Sequence, residues 1–580
     1  MKKNIYIELL YYLRNILNYK QKKSAAILLV LMVVGMILEI FLLKNLLILL
    51  NFLTNPNTEI PEIILKIGEI FSTNKNTILV LLLFIATFLT KTLISILVRW
   101  KESKFIFSLK AQISEKLFFG YIKLPFIFHQ RTNTAKILKN IIFEVDQFSV
   151  LIFATSTFLL ELMVLMGISF YLFSFDFNIS FFCILAFIIF GYFFNLFNKK
   201  KLKTMSIERL KHQDGRIKSI MEGLAGMREI KLWAKENDII KNFSLHNDSI
   251  ARISTSTTLR NALSKPSFEI FMLFFLSIFL LYFISNNLLT ASVIPIFGIY
   301  LAAAYRLVPS ISQIVQSIQT IQFTLKCAKN LSDDIEQFNK NEKDRNKSNK
   351  PISFQKILEI KNLNFAYKSD DHSTDNHVLK SVNLKIKKGD LVGIQGESGS
   401  GKSTFIDLFI GLHEPHGGQI LIDGKNIKEN LKKWQSLIGC VPQEVFILDD
   451  TLKKNIAFGI PEHEISDEKI EKCIEFSNLK NFLLSLDEKT NTIIGEKGSR
   501  LSGGQKQRIG IARAMYNNPE ILIFDEATSS LDVETESKII SEINSFKRKK
   551  TVIIVSHNKE ILKKCDYIFE IKNRKLEKNV

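Results

Sequence analysis

A glycine-rich run of residues has the composition needed to bind phosphate groups. It fits the pattern GxxxxGK[ST] and consists of Gly396, Glu397, Ser398, Gly399, Ser400, Gly401, Lys402 and Ser403, with Thr404 next. A strand is predicted at 391–394, just before the run, and a helix near Lys402. Glycines let backbone amides point at a β-phosphate, Lys402 would bridge the β- and γ-phosphates, and the Ser403 hydroxyl would ligate Mg²⁺. By itself the run predicts only that a nucleotide binds.

An acidic pair ends a second predicted strand, far downstream. Residues 521–524 are apolar and lead directly into Asp525 and Glu526. Asp525 would hold Mg²⁺ through water, and Glu526 would polarise the attacking water as a general base. The structural alternative is a helix cap or a surface pair. It is disfavoured because the pair follows a phosphate loop, which is the context that confirms such a motif.

The composition divides the chain into two different parts. Of the 580 residues, 47% are apolar and 23% are charged, and the mean hydropathy is +0.13, which excludes a disordered chain and disfavours an evenly mixed soluble enzyme. Residues 1–350 carry a net charge of +18, and residues 351–580 carry +2. A basic half indicates either a nucleic-acid-binding face or Lys and Arg kept on the inner side of membrane spans. The hydropathy favours the second interpretation.

Six apolar runs are predicted to be transmembrane helices, at 24–50, 77–98, 148–173, 177–197, 268–285 and 291–308. The segments 99–147 and 198–266 between them are long, basic and helically patterned, whereas 174–176 and 286–290 contain no Lys or Arg. This contrast places both chain ends inside. A short amphipathic helix is predicted in the loop 51–76, with a solvated turn as the alternative. The five cysteines are scattered and are predicted to be reduced.

The predicted domains are a six-helix transmembrane domain at 1–330 with long cytoplasmic extensions, a linker at 331–350 and a nucleotide-binding domain at 351–580. The second domain begins after the polar stretch 339–350, where short strands start to alternate with helices.

Further motifs in the second domain identify a family. Leu501, Ser502, Gly503, Gly504 and Gln505 open a basic helix, and this sequence resembles the signature of the ATP-binding cassette (ABC) transporter superfamily. The remaining family motifs follow the expected order: Tyr367, Gln443, Gly495-Glu496-Lys497-Gly498, Ser529-Ser530-Leu531-Asp532 and His557. The chain as a whole resembles ABC exporter half-transporters. The implied fold is a six-span α-helical domain followed by a P-loop α/β ABC ATPase domain.

The resemblance implies roles for individual residues and an ATP–Mg²⁺ site. Tyr367 would stack on adenine, Gln443 would bind Mg²⁺ and sense the γ-phosphate, and His557 would contact the γ-phosphate. Segments 126–134 and 222–233 would lie on or near the coupling loops. Ser502, Gly503, Gly504 and Gln505 would close on ATP held by another cassette.

Because one chain cannot complete such a site, a second half-transporter is implied. A homodimer is favoured because the catalytic set Lys402, Glu526, Gln443 and His557 is intact, although a heterodimer stays open. The implied location is a bacterial inner membrane, with the ATPase domain in the cytoplasm.

Ionisable residues inside the predicted spans, or just outside their ends, suggest a substrate cavity. They are Glu39, Lys91, Glu161, Lys265 and Arg306. Such residues usually face a water-filled cavity or a partner, because burying a charge in hydrocarbon is costly. For Lys265 and Arg306, near span ends, the alternative is that the side chain reaches the membrane surface.

The substrate is the least determined feature. The sixth span and the intramembrane charges are weakly similar to bacterial lipid-linked oligosaccharide flippases, whose pyrophosphate substrate would explain cationic cavity residues. Peptide or bacteriocin exporters and general lipid or drug exporters are the alternatives. A membrane-tethered ATPase acting as a receptor or regulator is opposed by the intact Glu526, and a soluble cassette protein by the six spans.

Overall fold

The computed structural model describes residues 11–12, 14–54, 76–175, 177–285, 293–345, 351–367, 377–495, 498, 500–527 and 533–579. The chain divides into two compact units. The first consists of Met1–Leu124 and His129–Glu342, and the second of Pro125–Phe128 and Lys343–Val580. The amphipathic helix predicted within 51–76 lies almost entirely outside the described residues, as do the motif residues Glu496 and Lys497 and the segment 529–532.

Helices make up the first unit. In chain order they are α1 (Tyr19–Thr54), α2 (Asn76–Ile122), α3 (Phe126–Arg131), α4 (Thr134–Lys139), a π-helical turn (Asn140–Glu144), α5 (Val145–Phe173), α6 (Phe177–Ala225), α7 (Met227–Leu232), α8 (Glu236–Ala262), α9 (Ser264–Ser285) and α10 (Val293–Arg345), of which the first turn of α3 belongs to the second unit.

Within the described ranges, four helical stretches are long and apolar enough to cross a membrane: Tyr19–Asn51, Ile78–Ile122, Thr134–Phe173 and Ser180–Ala225. Helices α9 and α10 cover the predicted fifth span and most of the sixth. The count of six spans stays a prediction.

Several of these helices are longer than a membrane is thick. Helix α2 has 47 residues and would measure about 70 Å at 1.5 Å per residue, against a hydrocarbon thickness of about 30 Å. Helix α10 has 53 residues and continues through 331–345, a segment that the sequence predicts to be part of the linker. The short helices α3 and α7 fall in the two segments predicted to carry the coupling loops.

Apolar side chains from five helices form a core cluster in the first unit. Ile168 of α5 and Phe268 of α9 are fully buried there, with Leu43, Phe187 and Val308 from α1, α6 and α10. By contrast, many Leu, Ile and Phe side chains on the outside of these helices are exposed, including Phe170, Phe182 and Leu281. An exposed apolar surface of this extent is typical of helices surrounded by lipid.

The second unit is an α/β fold whose elements in chain order are β1 (Ile357–Ala366), β2 (His377–Lys387), β3 (Leu391–Gly396), α11 (Lys402–Ile410), β4 (Gly417–Ile422), β5 (Lys425–Asn426), α12 (Leu431–Ser436), β6 (Ile438–Val441), α13 (Leu452–Ile456), α14 (Asp467–Phe476), α15 (Lys480–Leu484), α16 (Gly503–Met515), β7 (Ile521–Asp525), α17 (Val533–Ser545), β8 (Thr551–Val555), α18 (Lys559–Leu562), β9 (Tyr567–Lys572) and β10 (Lys575–Asn579). Short 3₁₀ turns lie at Ile427–Asn430, Glu462–Glu464 and Lys489–Asn491.

Two sheets organise the second unit. One has the order β2-β1-β4-β5 and is antiparallel; the other has the order β10-β9-β3-β8-β7-β6, in which β9, β3, β8, β7 and β6 run parallel. All residues of β7 and β8 are buried, which explains why their sequences are continuous apolar runs rather than alternating ones. In such a sheet the carboxyl ends of the strands share one edge, where ligands bind.

Candidate functional site

The glycine-rich loop lies between the carboxyl end of β3 and the first turn of α11. Gly399 and Gly401 adopt φ values of +79° and +103°, a region that side chains with a Cβ disfavour. A Cβ on Gly396 would lie 2.6 Å from Ser400 Oγ and 2.9 Å from the carbonyl oxygen of Ile571. The loop therefore requires glycine for its turns and for a close approach to β9.

Two polar groups of this loop are well placed for phosphate. The side chain of Lys402 is 7% exposed, and its Nζ donates to the carbonyl oxygens of Gly396 (2.9 Å) and Glu397 (3.0 Å). Ser400 Oγ is buried and has no hydrogen-bond partner among the described residues. A buried hydroxyl without a partner is unusual in a folded protein and indicates a group that a ligand satisfies.

The acidic pair lies where β7 ends. Asp525 is 8% exposed, and burial raises the pKa of its carboxyl, with the charge of Glu526 adding to the effect. A hydrogen bond with Ser403 acts in the opposite direction. The two residues predicted to hold Mg²⁺ from the phosphate loop and from β7 are therefore in contact.

Glu526 contacts the three other residues of the predicted catalytic set. One carboxylate oxygen accepts a hydrogen bond from Gln443 Nε2 at 2.9 Å. The other lies 3.0 Å from His557 Nε2 and 3.7 Å from Lys402 Nζ. Lys402 Nζ is also 3.1 Å from His557 Nε2.

These four side chains come from four parts of the sheet edge. Gln443 follows β6, Glu526 follows β7, His557 follows β8 and Lys402 follows β3. The order β3-β8-β7-β6 places the strands side by side, which explains how residues up to 155 positions apart meet. Glu526 has φ +50°, so the backbone turns sharply at this carboxylate.

Tyr367 lies at the end of β1 and contacts the first turn of α11. Its hydroxyl is 3.2 Å from Thr404 Oγ1, and the residue is 37% exposed. The ring packs edge-on against Phe365 and His413, with centroids 5.1 Å and 5.8 Å away. The exposed face of a fixed aromatic ring is available for stacking on a base.

The signature segment has a different environment. Ser502 is the N-cap of α16, and its hydroxyl accepts from the backbone of Gln505 while the Gln505 side chain accepts from the backbone of Ser502. Ser502 and Gly503 are exposed. The reciprocal cap stabilises the N-terminus of α16, and the N-terminal end of a helix suits an anion.

Four of the five predicted cavity residues form one cluster in the first unit. Lys91 Nζ lies 2.9 Å from Glu39 Oε2, and Arg306 Nε donates to the other oxygen of Glu39. Arg306 is also 3.6 Å from Glu161 Oε2. Lys265, the fifth, lies elsewhere, with Glu269 at 3.7 Å.

The cluster contains one residue that sequence reasoning did not assign to the site. Ser310 Oγ donates to Glu161 Oε2 at 2.7 Å and accepts from Arg306 at 2.9 Å. Its spacing of four residues from Arg306 along α10 was the available signal, because residues four apart lie on one helix face.

The donors and acceptors of the second unit fit a nucleoside triphosphate and Mg²⁺. The buried Lys402 ammonium, the unpartnered Ser400 hydroxyl and the glycine turns suit phosphates, while Ser403 and Asp525 offer the oxygen ligands that Mg²⁺ prefers.

Known protein families match both units. The family described as ABC transporter transmembrane region matches residues 25–303, and the family described as ABC transporter matches residues 379–529.

Several curated proteins are similar over part of their length. The ATP-dependent lipid A-core flippase of Syntrophus aciditrophicus is 30% identical over 350 residues, which are 60% of this chain and 57% of that protein. The leukotoxin translocation ATP-binding protein of Mannheimia glucosida is 42% identical over 212 residues, 36% of this chain and 29% of that protein. The chain thus spans less than two thirds of either relative.

Among solved structures, a bacterial Atm1-family ABC exporter with ATP bound has a TM-score of 0.73 with this chain, at 21% identity and with 94% of each chain covered. At that identity the likeness shows the fold. The two family matches show that the chain belongs to the ABC transporters and is an integral membrane protein with a transmembrane region followed by an ABC ATPase domain.

Proposed function

We propose that this chain hydrolyses ATP and uses the energy to export an amphipathic anionic lipid, a lipid-linked oligosaccharide, across a bacterial inner membrane. The observation that carries the ATPase part is the contact of Glu526 with Gln443, His557 and Lys402. These are the groups that surround the γ-phosphate in the proposed reaction.

In this proposal, the phosphate loop holds the ATP phosphates and Tyr367 stacks on the adenine. Ser403, Gln443 and Asp525 would hold Mg²⁺, and the ion would supply positive charge to the phosphates. Glu526 takes the proton of the attacking water. Its hydrogen bond from Gln443 orients the carboxylate towards that water.

The proposed active form is a homodimer. The signature residues Ser502 and Gly503 are exposed, and the capped N-terminus of α16 presents amides suited to a phosphate. In the dimer these amides would contact the ATP held by the other copy, so that two copies complete two sites.

The charge cluster of the first unit supports an anionic substrate. The Glu39 and Glu161 side chains are only 6% and 4% exposed, whereas those of Lys91 and Arg306 are 25% and 28% exposed. The carboxylates therefore lie behind the cations and hold them in place. An approaching phosphate would meet Lys91 and Arg306 first, and each cation keeps donors that a phosphate could use.

The two similar proteins differ in how much of the membrane half their matches include, and therefore in how strongly they support a substrate class. The match to the lipid A-core flippase covers 350 residues, more than the 230 residues of 351–580, so it extends into the membrane half. The match to the leukotoxin protein covers 212 residues and is no longer than a cassette. The former supports a lipid substrate, and peptide or drug export is the second candidate.

The ATPase part is tested by comparing the variant Glu526→Gln with a matched control, Glu520→Gln. The amide introduced by Glu526→Gln would keep the hydrogen-bonding shape of the side chain but could not accept the proton from water. We expect nucleotide binding to persist while turnover falls about 100-fold or more. Glu520 pairs with Lys388 outside the site, so its variant should retain the wild-type rate. Undiminished hydrolysis by Glu526→Gln would refute the base assignment.

A further inference from the structure

A cavity lies between four helices of the first unit, and no residue of the charge cluster lines it. Helices α5, α6, α9 and α10 line it, through residues that include Leu165, Ile184, Met272 and Leu307. It encloses about 60 Å³. Ile188, on its wall, is 51% exposed, so the cavity borders the surface of the described helices.

One polar group of the wall has no partner. Ser169 of α5 lines the cavity and is 7% exposed, and no described residue forms a hydrogen bond with its Oγ. The other hydroxyl of the wall, that of Tyr300, is engaged with Ser180 Oγ at 2.8 Å. A serine in a helix commonly donates to the carbonyl oxygen four residues earlier, so the unpartnered Oγ of Ser169 indicates an acceptor that comes from outside the chain.

Water is a poor occupant for this cavity. An ordered buried water needs two to four polar partners, whereas the wall offers the Ser169 hydroxyl, the already engaged Tyr300 and apolar side chains. The wall also has no charged side chain that could bind a phosphate head group, whereas its apolar side chains suit a short length of hydrocarbon chain. The surrounding medium supplies such chains.

The polar and apolar parts of the wall are separated by depth. Ser169 lies four residues before the end of α5 at Phe173, which is about 6 Å along the helix axis. Leu165 is one turn deeper, and Leu307 and Ile311 of α10 lie well beyond Tyr300 along that helix. Because the third span is predicted to end with Phe173, the unpartnered hydroxyl would lie near a membrane surface, where lipid ester groups are found, and the apolar part would extend towards the bilayer centre.

We propose that this cavity binds one acyl chain of a bilayer phospholipid, with the ester carbonyl of that chain accepting a hydrogen bond from Ser169 Oγ. Leaving the bilayer for the cavity brings no hydrophobic gain, since lipid tails are as apolar as the wall. Binding results from closer packing in a space that is otherwise unfilled, and from the one hydrogen bond. The bound lipid exchanges with the bilayer and is distinct from the transported molecule.

The test uses the full chain in vesicles of phosphatidylethanolamine and phosphatidylglycerol that contain a trace of phospholipid with a photoactivatable diazirine in one ester-linked acyl chain. After illumination, the labelled residues are mapped by mass spectrometry. We expect label on the cavity wall, at residues such as Cys183 and Met272. Ala304→Phe fills the cavity and should lose most of that label. Ile189→Phe, on the exposed side of α6 (47% exposed), adds a ring outside the cavity and should retain it.

A second arm tests the hydrogen bond. An ether-linked analogue of the probe lacks the ester carbonyl, so it should label wild type about fivefold less, the effect of one hydrogen bond. In Ser169→Ala, the ester and ether probes should label equally. Equal labelling of wild type by both probes would overturn the role of Ser169.

Two results would overturn the site itself. One is label spread evenly over the exposed side chains of the spans, and the other is full labelling of the wall in Ala304→Phe. Retained ATPase activity shows that a variant is folded. If Ala304→Phe does not fold, Cys183→Leu narrows the same cavity with a smaller change, and the same outcomes apply.

Discussion

At the scale of single residues, the nucleotide site depends on close approaches that leave no room for a methyl group. Gly396→Ala would place a Cβ 2.9 Å from the carbonyl oxygen of Ile571, a backbone atom that cannot move without disturbing β9. We expect ATP affinity to fall about tenfold or more, because the phosphate loop must shift. Gly417→Ala is the matched control, since its Cβ would meet Asn364 at an ordinary 3.4 Å. Fluorescent-nucleotide titration measures both, and equal affinity in the two variants would contradict this role of the loop glycine.

The charge cluster makes a second prediction at this scale. Lys91→Ala removes a cation that is one-quarter exposed and paired with the buried Glu39, whereas Lys265→Ala removes one that is exposed and paired with Glu269. Transport of an anionic lipid into proteoliposomes should fall about tenfold in Lys91→Ala, with basal ATPase nearly intact, and should change little in Lys265→Ala.

An equal loss of transport and ATPase in Lys91→Ala would point instead to damage from an unpaired buried carboxylate. Lys91→Arg separates the two cases, because it restores the cation to Glu39 while changing its shape.

At the scale of elements, the turn between β4 and β5 ties the antiparallel sheet together. Asp423 and Gly424 form a two-residue turn with φ values of +46° and +83°. The Asp423 carboxylate accepts from the backbone amides of Gln355 (2.6 Å), Lys356 (2.9 Å) and Ile357 (2.8 Å). Partial burial opposes ionisation of Asp423, but these hydrogen bonds outweigh it and hold its pKa below the ordinary value.

This geometry predicts a pH-dependent effect of Asp423→Asn. A carboxylate with a lowered folded-state pKa stabilises the fold above its unfolded pKa of about 3.9, and the contribution is lost as the pH falls through the folded pKa. The variant should be less stable than wild type by about 1 kcal/mol at pH 7, and the difference should shrink towards zero in acid. Asp487→Asn, at an exposed position, is the control. Thermal unfolding of the full chain at several pH values measures the difference, and a constant gap across pH would contradict the assignment.

Some elements could be predicted from the sequence because their signals are local. The phosphate loop, the acidic end of β7 and the capped start of α16 each depend on residues within a few positions of one another. The dipeptide Asp423-Gly424 is likewise a recognisable signal for a two-residue hairpin turn. The contacts of Glu526 with Lys402, Gln443 and His557 depend instead on the order of the strands in the sheet. In the sequence, only the family motifs indicated that these four residues act at one site.

At the scale of the whole molecule, the packing of the helices in the membrane half could not be predicted from the sequence. Hydropathy predicted apolar helices, and charges inside them were visible in the sequence. Which charges pair could not be predicted, because Glu39, Lys91, Glu161 and Arg306 belong to four different helices whose packing sets the distances. Lys265 looked equivalent in sequence and lies apart for the same reason. The cavity at Ser169 had no sequence signal, since most residues of its wall are apolar, as are most other residues of the same helices.

In the proposed function, ATP hydrolysis at Glu526 drives movement of a lipid-linked oligosaccharide. The most direct measurement is ATP-dependent translocation of a polyprenyl-pyrophosphate oligosaccharide in proteoliposomes, with wild type compared with Glu526→Gln. We expect translocation by wild type with ATP and none by the variant. Healthy ATPase activity in wild type without any movement of this lipid would contradict the proposed substrate and favour peptide or drug export.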